Sequence, residues 1–161
     1  MRILAIGDFH IPSRARLIPE KIFAFICKIK NDLILCTGDL TDERVLDKLK
    51  KIAPLKWVTG NTDYIHGKRS ERIKIGEYNM GLIHGTEIYP RGDINQLYEV
   101  AKKMNVDILI SGHTHAMNVC NMYDRLLINP GSATGAWGGG PATLKPSIIV
   151  LEVDGELLCV R

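Results

Sequence analysis

The sequence predicts an α/β fold in which two β sheets stack face to face with helices outside, and three observations lead there. Apolar strand-like runs alternate with amphipathic helical stretches in the first third of the chain. Hairpin signals then add more strands than one simple parallel sheet holds. Finally, five apolar runs (Ile3–Ile6, Leu33–Cys36, Trp57-Val58, Met80–Ile83 and Asp107–Ile110) lead into fragments where glycine stands beside a metal-competent side chain. These fragments are Gly7-Asp8-Phe9-His10, Gly38-Asp39, Gly60-Asn61, His84-Gly85 and Gly112-His113-Thr114-His115. Ligand sites of open α/β sheets lie at strand ends, so the pattern places these groups along one edge.

In chain order, the first strand begins at Arg2, and Ile18 to Lys30 follows as a helix with Pro19 near its first turn. Its apolar residues Ile18, Ile22, Phe25, Ile26 and Ile29 have helical spacing and read as a core face. A second helix spans about Asp42 to Ile52, with Thr41 as N-cap and Val45, Leu46, Leu49 and Ile52 inward. A third begins at Asp93, which stands in capping-box spacing with Gln96, and runs to Met104. Strand, helix, strand, helix, strand is the order of parallel sheets with crossover helices. Further on, Arg72 to Ile75 and Met80 to Ile83 flank a turn at Gly76-Glu77-Tyr78-Asn79, and a last hairpin is hinged on Asp154-Gly155. Met117 to Met122, Leu126 to Ile128 and Ser147 to Val153 supply the remaining strands. The glycine-bearing stretch Gly131 to Pro146 has no following helix or lysine and is not a phosphate-binding P-loop. It is expected to be a mobile loop, with contact to substrate the lesser expectation.

At 161 residues the chain is expected to be one domain, 1–161, large enough to build a core without staples. A net charge of +3 gives no strong nucleic-acid signal, and the basic run Lys68-Arg69-Ser70-Glu71-Arg72 reads as a solvated loop. No apolar run reaches the ~20 residues of a membrane span, and a strand starting at Arg2 leaves no room for a signal peptide, so a cytoplasmic location is expected. Cys27, Cys36, Cys120 and Cys159 form no CxxC pair and are expected to be reduced residues in the core.

Two carboxylates, one carboxamide and four imidazoles make an oxygen and nitrogen ligand set suited to Mn, Fe(II), Zn, Ni or Mg, not to a thiolate site. Seven ligands exceed the four of a structural zinc and fit two divalent ions sharing a carboxylate, with positions left for water and substrate.

These residues also carry a family resemblance. Gly7-Asp8-Phe9-His10-Ile11-Pro12, Leu35-Cys36-Thr37-Gly38, Gly81-Leu82-Ile83-His84-Gly85, Asp107 to His115 and Asn129-Pro130-Gly131-Ser132-Ala133-Thr134-Gly135 resemble the calcineurin-like metallophosphoesterases. Within that superfamily the match is to the small single-domain branch that includes the retromer small subunit of vacuolar protein sorting. The resemblance implies two facing sheets flanked by helices and a binuclear phosphodiesterase with two divalent ions, Mn foremost. It assigns one metal to Asp8, His10, Asp39 and His115 and the other to Asp39, Asn61, His84 and His113, with Asp39 bridging. It implies a phosphodiester substrate and leaves a protein partner or a homo-oligomer open.

One departure stands out. The family pattern usually has histidine after the metal-binding asparagine, as general acid or phosphate contact, whereas Thr62 follows Asn61 here. His66, in the adjacent loop, is a weak substitute, and Asp63 is placed to orient a ligand from behind. The alternative to an enzyme is a protein-binding scaffold like the retromer relative, with a residual metal site. Some ligand positions depart from the catalytic pattern in that branch, while all seven are of the expected type here. A contiguous exposed patch of Leu17, Ile18 and Trp137 would favour the scaffold.

Overall fold

The protein was analysed as a computed structural model that describes residues 1–140 and 144–161. The chain begins β1 (Arg2–Ile6), α1 (Glu20–Lys28), β2 (Leu33–Cys36), α2 (Glu43–Lys50) and β3 (Leu55–Trp57). It continues β4 (Ser70–Ile75), β5 (Tyr78–Ile83), α3 (Ile94–Met104), β6 (Ile108–Ile110), β7 (Asn118–Met122), β8 (Arg125–Asn129), β9 (Ile149–Asp154) and β10 (Leu157–Val160). One sheet has the order β10-β9-β1-β2-β3 and the other β4-β5-β6-β8-β7. In the first, β1, β2 and β3 run parallel; in the second, β5, β6 and β8 do. Hairpin partners lie antiparallel at the edges, so both sheets are mixed, as expected from the strand count.

Side-chain alternation explains why the central strands read as continuous apolar runs. Ile3, Ala5 and Leu35 face the second sheet, where they meet Met80, Leu82, Ile108 and Ile110. Their neighbours Leu4, Ile6 and Ile34 point outward under Ile26 of α1 and Leu46 and Leu49 of α2. On the far side Leu109 and Leu127 lie under Leu97 and Ala101 of α3. Strands buried on both faces show no polar alternation.

Several expected boundaries move for local reasons. The first helix starts at Glu20, not Ile18, because a residue before proline is pushed out of the helical region. It ends at Lys28, and Phe25 is 46% exposed because it lies about 100° around the helix from Ile26, the residue that faces the sheet. Asp42, not Thr41, caps α2 by accepting the Arg44 N–H (2.8 Å), and Ile52 lies beyond the helix end, half-buried against the core. The expected capping box is half formed: Asp93 accepts the Gln96 N–H (2.9 Å), while the Gln96 side chain turns to the Tyr89 carbonyl.

Within the basic run, Ser70 to Arg72 is the start of β4, paired with β5, and Glu71 takes ion pairs from Lys56 and Lys68. The first hairpin turn is only Gly76-Glu77, since Tyr78 and Asn79 already pair across it. All four cysteines are free, but only Cys36 is buried. Cys27 lies on the outer face of α1 and Cys159 on an edge strand, which corrects the expectation of a core position. Within the glycine-bearing stretch, residues 141–143 lie outside the described residues. Ahead of them, Ala133 donates its N–H to the Gly7 carbonyl, and Ser132 and Thr134 donate hydroxyls to the carbonyls of Asp8 and Phe9. This part of the expected loop is packed against the strand-end fragments.

Candidate metal centre

Every candidate ligand follows one of the parallel strands. Asp8 and His10 come after β1, Asp39 after β2, Asn61 after β3, His84 after β5, and His113 and His115 after β6. Because these strands run in register, their carboxyl ends bring loops from both sheets to one edge. Five of the seven residues have left-handed backbone: Asp8 (φ 50°), His10 (49°), Asp39 (52°), His113 (69°) and His115 (58°). Such conformations cost roughly 1–3 kcal/mol each and persist only where surrounding bonds hold them.

Those bonds are present. Asp8 and His10 donate N–H to the carbonyls of Gly38 and Asp39 (2.9 Å each), which laces the β1 loop to the β2 loop. The Asp63 carboxylate accepts N–H from Asp39 (2.9 Å), Gly60 (2.9 Å) and Thr41 (2.8 Å). Asp63 therefore braces the backbone of Asp39, a candidate ligand, from behind. Close approach requires glycine at several of these positions, Gly60 and Gly112 among them. A Cβ at Gly60 would stand 2.1 Å from Asp39 Oδ1, and one at Gly112 would stand 2.6 Å from Thr37 Oγ1 and 3.0 Å from Asp8 Oδ2.

The side chains converge in two groups that share Asp39. Asp8, His10, Asp39 and His115 form one; Asp39, His84 and His113 form the other, and within each the donor atoms lie within 4.8 Å of one another. Asp39 Oδ2 is 3.2 Å from His10 Nε2 and 3.5 Å from His84 Nε2, so one carboxylate oxygen faces both groups. His10 and His115 bring their Nε2 atoms to 3.0 Å, and His115 Nε2 is 3.6 Å from Asp8 Oδ1. Asn61 Oδ1 reaches the second group at 3.0 Å from His84 Nε2.

Hydrogen bonds fix which ring nitrogens face inward. His84 Nδ1 donates to the Thr37 carbonyl (2.8 Å) and His115 Nδ1 to the Ala136 carbonyl (2.6 Å). In the neutral ring this leaves the Nε2 lone pair facing the site, the arrangement a metal-ligating imidazole needs. Thr37 and Ala136 were not singled out as supporting groups from sequence, because a backbone carbonyl leaves no trace in residue type. Thr62 donates its N–H to Asp39 Oδ1 (2.9 Å), and its hydroxyl lies 3.3 Å from His10 Nδ1. His66 is exposed and lines a cavity beside Asn61 and His84.

The electrostatics call for cations. Burial and then the neighbouring Asp39 charge push the Asp8 carboxyl well above its ordinary 3.8, although the His113 N–H pulls it back. Burial brings His10 down to about 4, and burial with the nearby His84 does the same for His113. His115 is also lowered, mainly by burial. Asp39 lies below its ordinary value: burial opposes this, but His84, the Thr62 N–H, His10 and the Thr62 side chain outweigh it. A buried nest of imidazoles, three of them held below their ordinary value, and two crowded carboxylates, with oxygen and nitrogen donors converging, fits divalent cations.

A stability consequence follows for the metal-free chain. A carboxyl whose folded pKa is raised contributes stability that is fully present below its unfolded value of 3.8 and is lost as pH rises through the folded value. Asp8→Asn retains an acceptor for the His113 N–H without that loss. It is expected to raise the melting temperature of metal-free protein by roughly 2–4 °C at neutral pH, with the gain shrinking towards pH 4. Melting curves across pH with chelator present test this; a gain independent of pH would discard the buried-charge account. The depressed histidines act in the opposite sense, losing stability as pH falls from 6.5 towards 4, but they are common to both proteins.

A family model described as the calcineurin-like phosphoesterase superfamily domain matches residues 1–156. A probable metallophosphoesterase of Methanothermobacter thermautotrophicus is 43% identical over 161 residues, covering 98% of this chain and 89% of that protein. Among solved structures, wild-type Vps29 from Entamoeba histolytica complexed with Zn²⁺ superposes with a TM-score of 0.89 at 36% identity, covering 99% of this chain and 90% of that one. Vps29 from Chaetomium thermophilum, complexed with a RaPID-derived cyclic peptide, gives 0.85 at 32%, covering 99% and 84%.

Proposed function

Since the chain belongs to the calcineurin-like phosphoesterase superfamily, we propose that it is a binuclear metal-dependent phosphodiesterase. The observation that carries this is the pair of donor groups sharing Asp39. In this reading Asp8, His10, Asp39 and His115 hold one divalent ion, and Asp39, Asn61, His84 and His113 hold the other, with Mn the leading candidate and Ni, Fe, Zn or Mg as alternatives. Bound there, such ions supply Lewis acidity, which lowers the pKa of water and neutralises charge on phosphoryl oxygens.

The chain's own part is positional. Thr37 and Ala136 hold the His84 and His115 rings with their lone pairs inward, and Thr62 fixes the Asp39 carboxylate. The His113 N–H holds Asp8. Asp63 keeps the Asp39 and Gly60 loops in contact. The chain is read as one domain working in the cytoplasm, where its free thiols stay reduced.

Elemental analysis of metal-saturated protein should find two ions per chain; one tight ion only would reject the bridged centre. Assay of the loaded protein against monoesters, cyclic nucleotides, linear diesters and nucleic acid should give turnover of aryl diesters above all. The second reading, a protein-binding scaffold, draws on the Vps29 neighbours and on Trp137 and Leu17, each 63% exposed. Against it, Ile18 is buried, so the three-residue patch that would favour the scaffold is incomplete. No turnover of any class by protein carrying two ions would favour the scaffold. No helix among the described residues is long and apolar enough to cross a membrane.

A further inference from the structure

Four arginines remote from the centre are matched by carboxylates, Arg2 and Arg161 with Glu152, Arg44 with Asp42, and Arg125 with Asp107 and Asp124, while Arg72 bonds only Asn79 and Arg16 has no ion pair or hydrogen bond among the described residues. Arg69 is different. It lines a cavity of about 270 Å³ that Asn61 and His84 also line. Among the described residues its guanidinium has neither an ion pair nor a hydrogen bond, although Glu87 lines the same cavity. His66 and Thr86 add a second nitrogen donor and a hydroxyl to the walls. Asp8, His10 and His115 do not line it, so the cavity opens from one end of the centre only, the Asn61 and His84 end. Its volume is below the roughly 300–1,000 Å³ of pockets for drug-sized ligands, which limits the occupant to one small group.

We propose that this cavity is a second anion subsite, and that the substrate class is a phosphoester whose ester arm carries another phosphate, gripped by Arg69 while the scissile phosphate lies over the metal centre. The inference rests on the phosphodiesterase reading and deepens it. A planar guanidinium without a carboxylate partner offers a fork of donors that a phosphate can engage through two bonds at once. Glu87 lies outside ion-pairing distance, so no carboxylate among the described residues bonds the fork beforehand. The anionic arm is thereby directed to one end of the centre, which also fixes which ester oxygen faces the attacking side.

The test is calorimetric and needs no turnover. Mn-loaded protein is titrated with propyl phosphate and with propane-1,3-diyl bisphosphate, and its ion content is checked after each run. The bisphosphate is expected to bind at least about tenfold tighter, the effect of one charge-assisted hydrogen bond. Arg69→Gln should bring the two affinities together, whereas Lys48→Gln, on the exposed side of α2, should keep the native ratio. Equal affinities in the native protein, or a ratio that survives Arg69→Gln, would overturn the subsite and leave the metal-centre reading standing. If propyl phosphate fails to bind protein carrying two ions, the phosphoester reading itself falls and the subsite with it.

Discussion

Asp39→Ala is expected to lower kcat/KM for an aryl diester by at least about 10³-fold, because Lewis-acid stabilisation is worth several kcal/mol and each 1.36 kcal/mol is a factor of ten. The other six side chains each stand in one donor group, whereas Asp39 Oδ2 faces both at 3.2 and 3.5 Å. Its loss removes a ligand from each ion and the anion that offsets repulsion between them. His115→Ala takes one ligand from one group and should cost less. Since Asp39 Oδ1 also accepts the Thr62 N–H, Asp39→Asn serves as the folding control: it keeps an acceptor there and removes the charge. Kinetics with elemental analysis on the three variants settle the point. Two ions retained by Asp39→Ala, or a smaller rate loss than for His115→Ala, would show that the carboxylate does not bridge.

Much of this candidate centre was legible because the chemistry proposed for it needs particular residue types at strand ends. Asp8, His10, His113 and His115 stand two apart beside glycine, and a carboxylate or imidazole cannot be replaced there by a generic polar residue. The structure adds a reason for the glycines: Gly60 and Gly112 let Asp39 and Asp8 approach other backbone more closely than a Cβ allows. The groups behind the ligands were harder to see. Thr37 and Ala136 act through carbonyl oxygens that every residue possesses. Arg69 was read as part of a solvated run because sequence does not show which cations have partners. Likewise, an even apolar pattern could not separate Phe25, at the edge of its helix face, from Ile26 at its centre. Two-sided burial of β1 and β2 made the strands easy to find and their inward faces impossible to assign without the second sheet.

A steep dependence of rate on leaving-group pKa is the other large effect expected, with aryl diesters reacting about 10²–10⁴-fold faster than alkyl ones, the usual contribution of general acid catalysis. The residue after Asn61 is turned away from any such role. Thr62 gives its N–H to Asp39, its hydroxyl lies against His10, and a threonine hydroxyl is too weak an acid to protonate a departing alkoxide. The departing oxygen must then carry its charge with help only from the centre and from water. His66 is the one imidazole outside the donor groups, and it lines the cavity beside Asn61 and His84, so it sets the control. Steady-state rates for a series of aryl and alkyl diesters, measured with native protein and His66→Ala, should give the same steep slope in both. A flat series in the native protein that becomes steep in His66→Ala would instead make His66 the proton donor and overturn the expectation; a flat series in both would place the acid elsewhere.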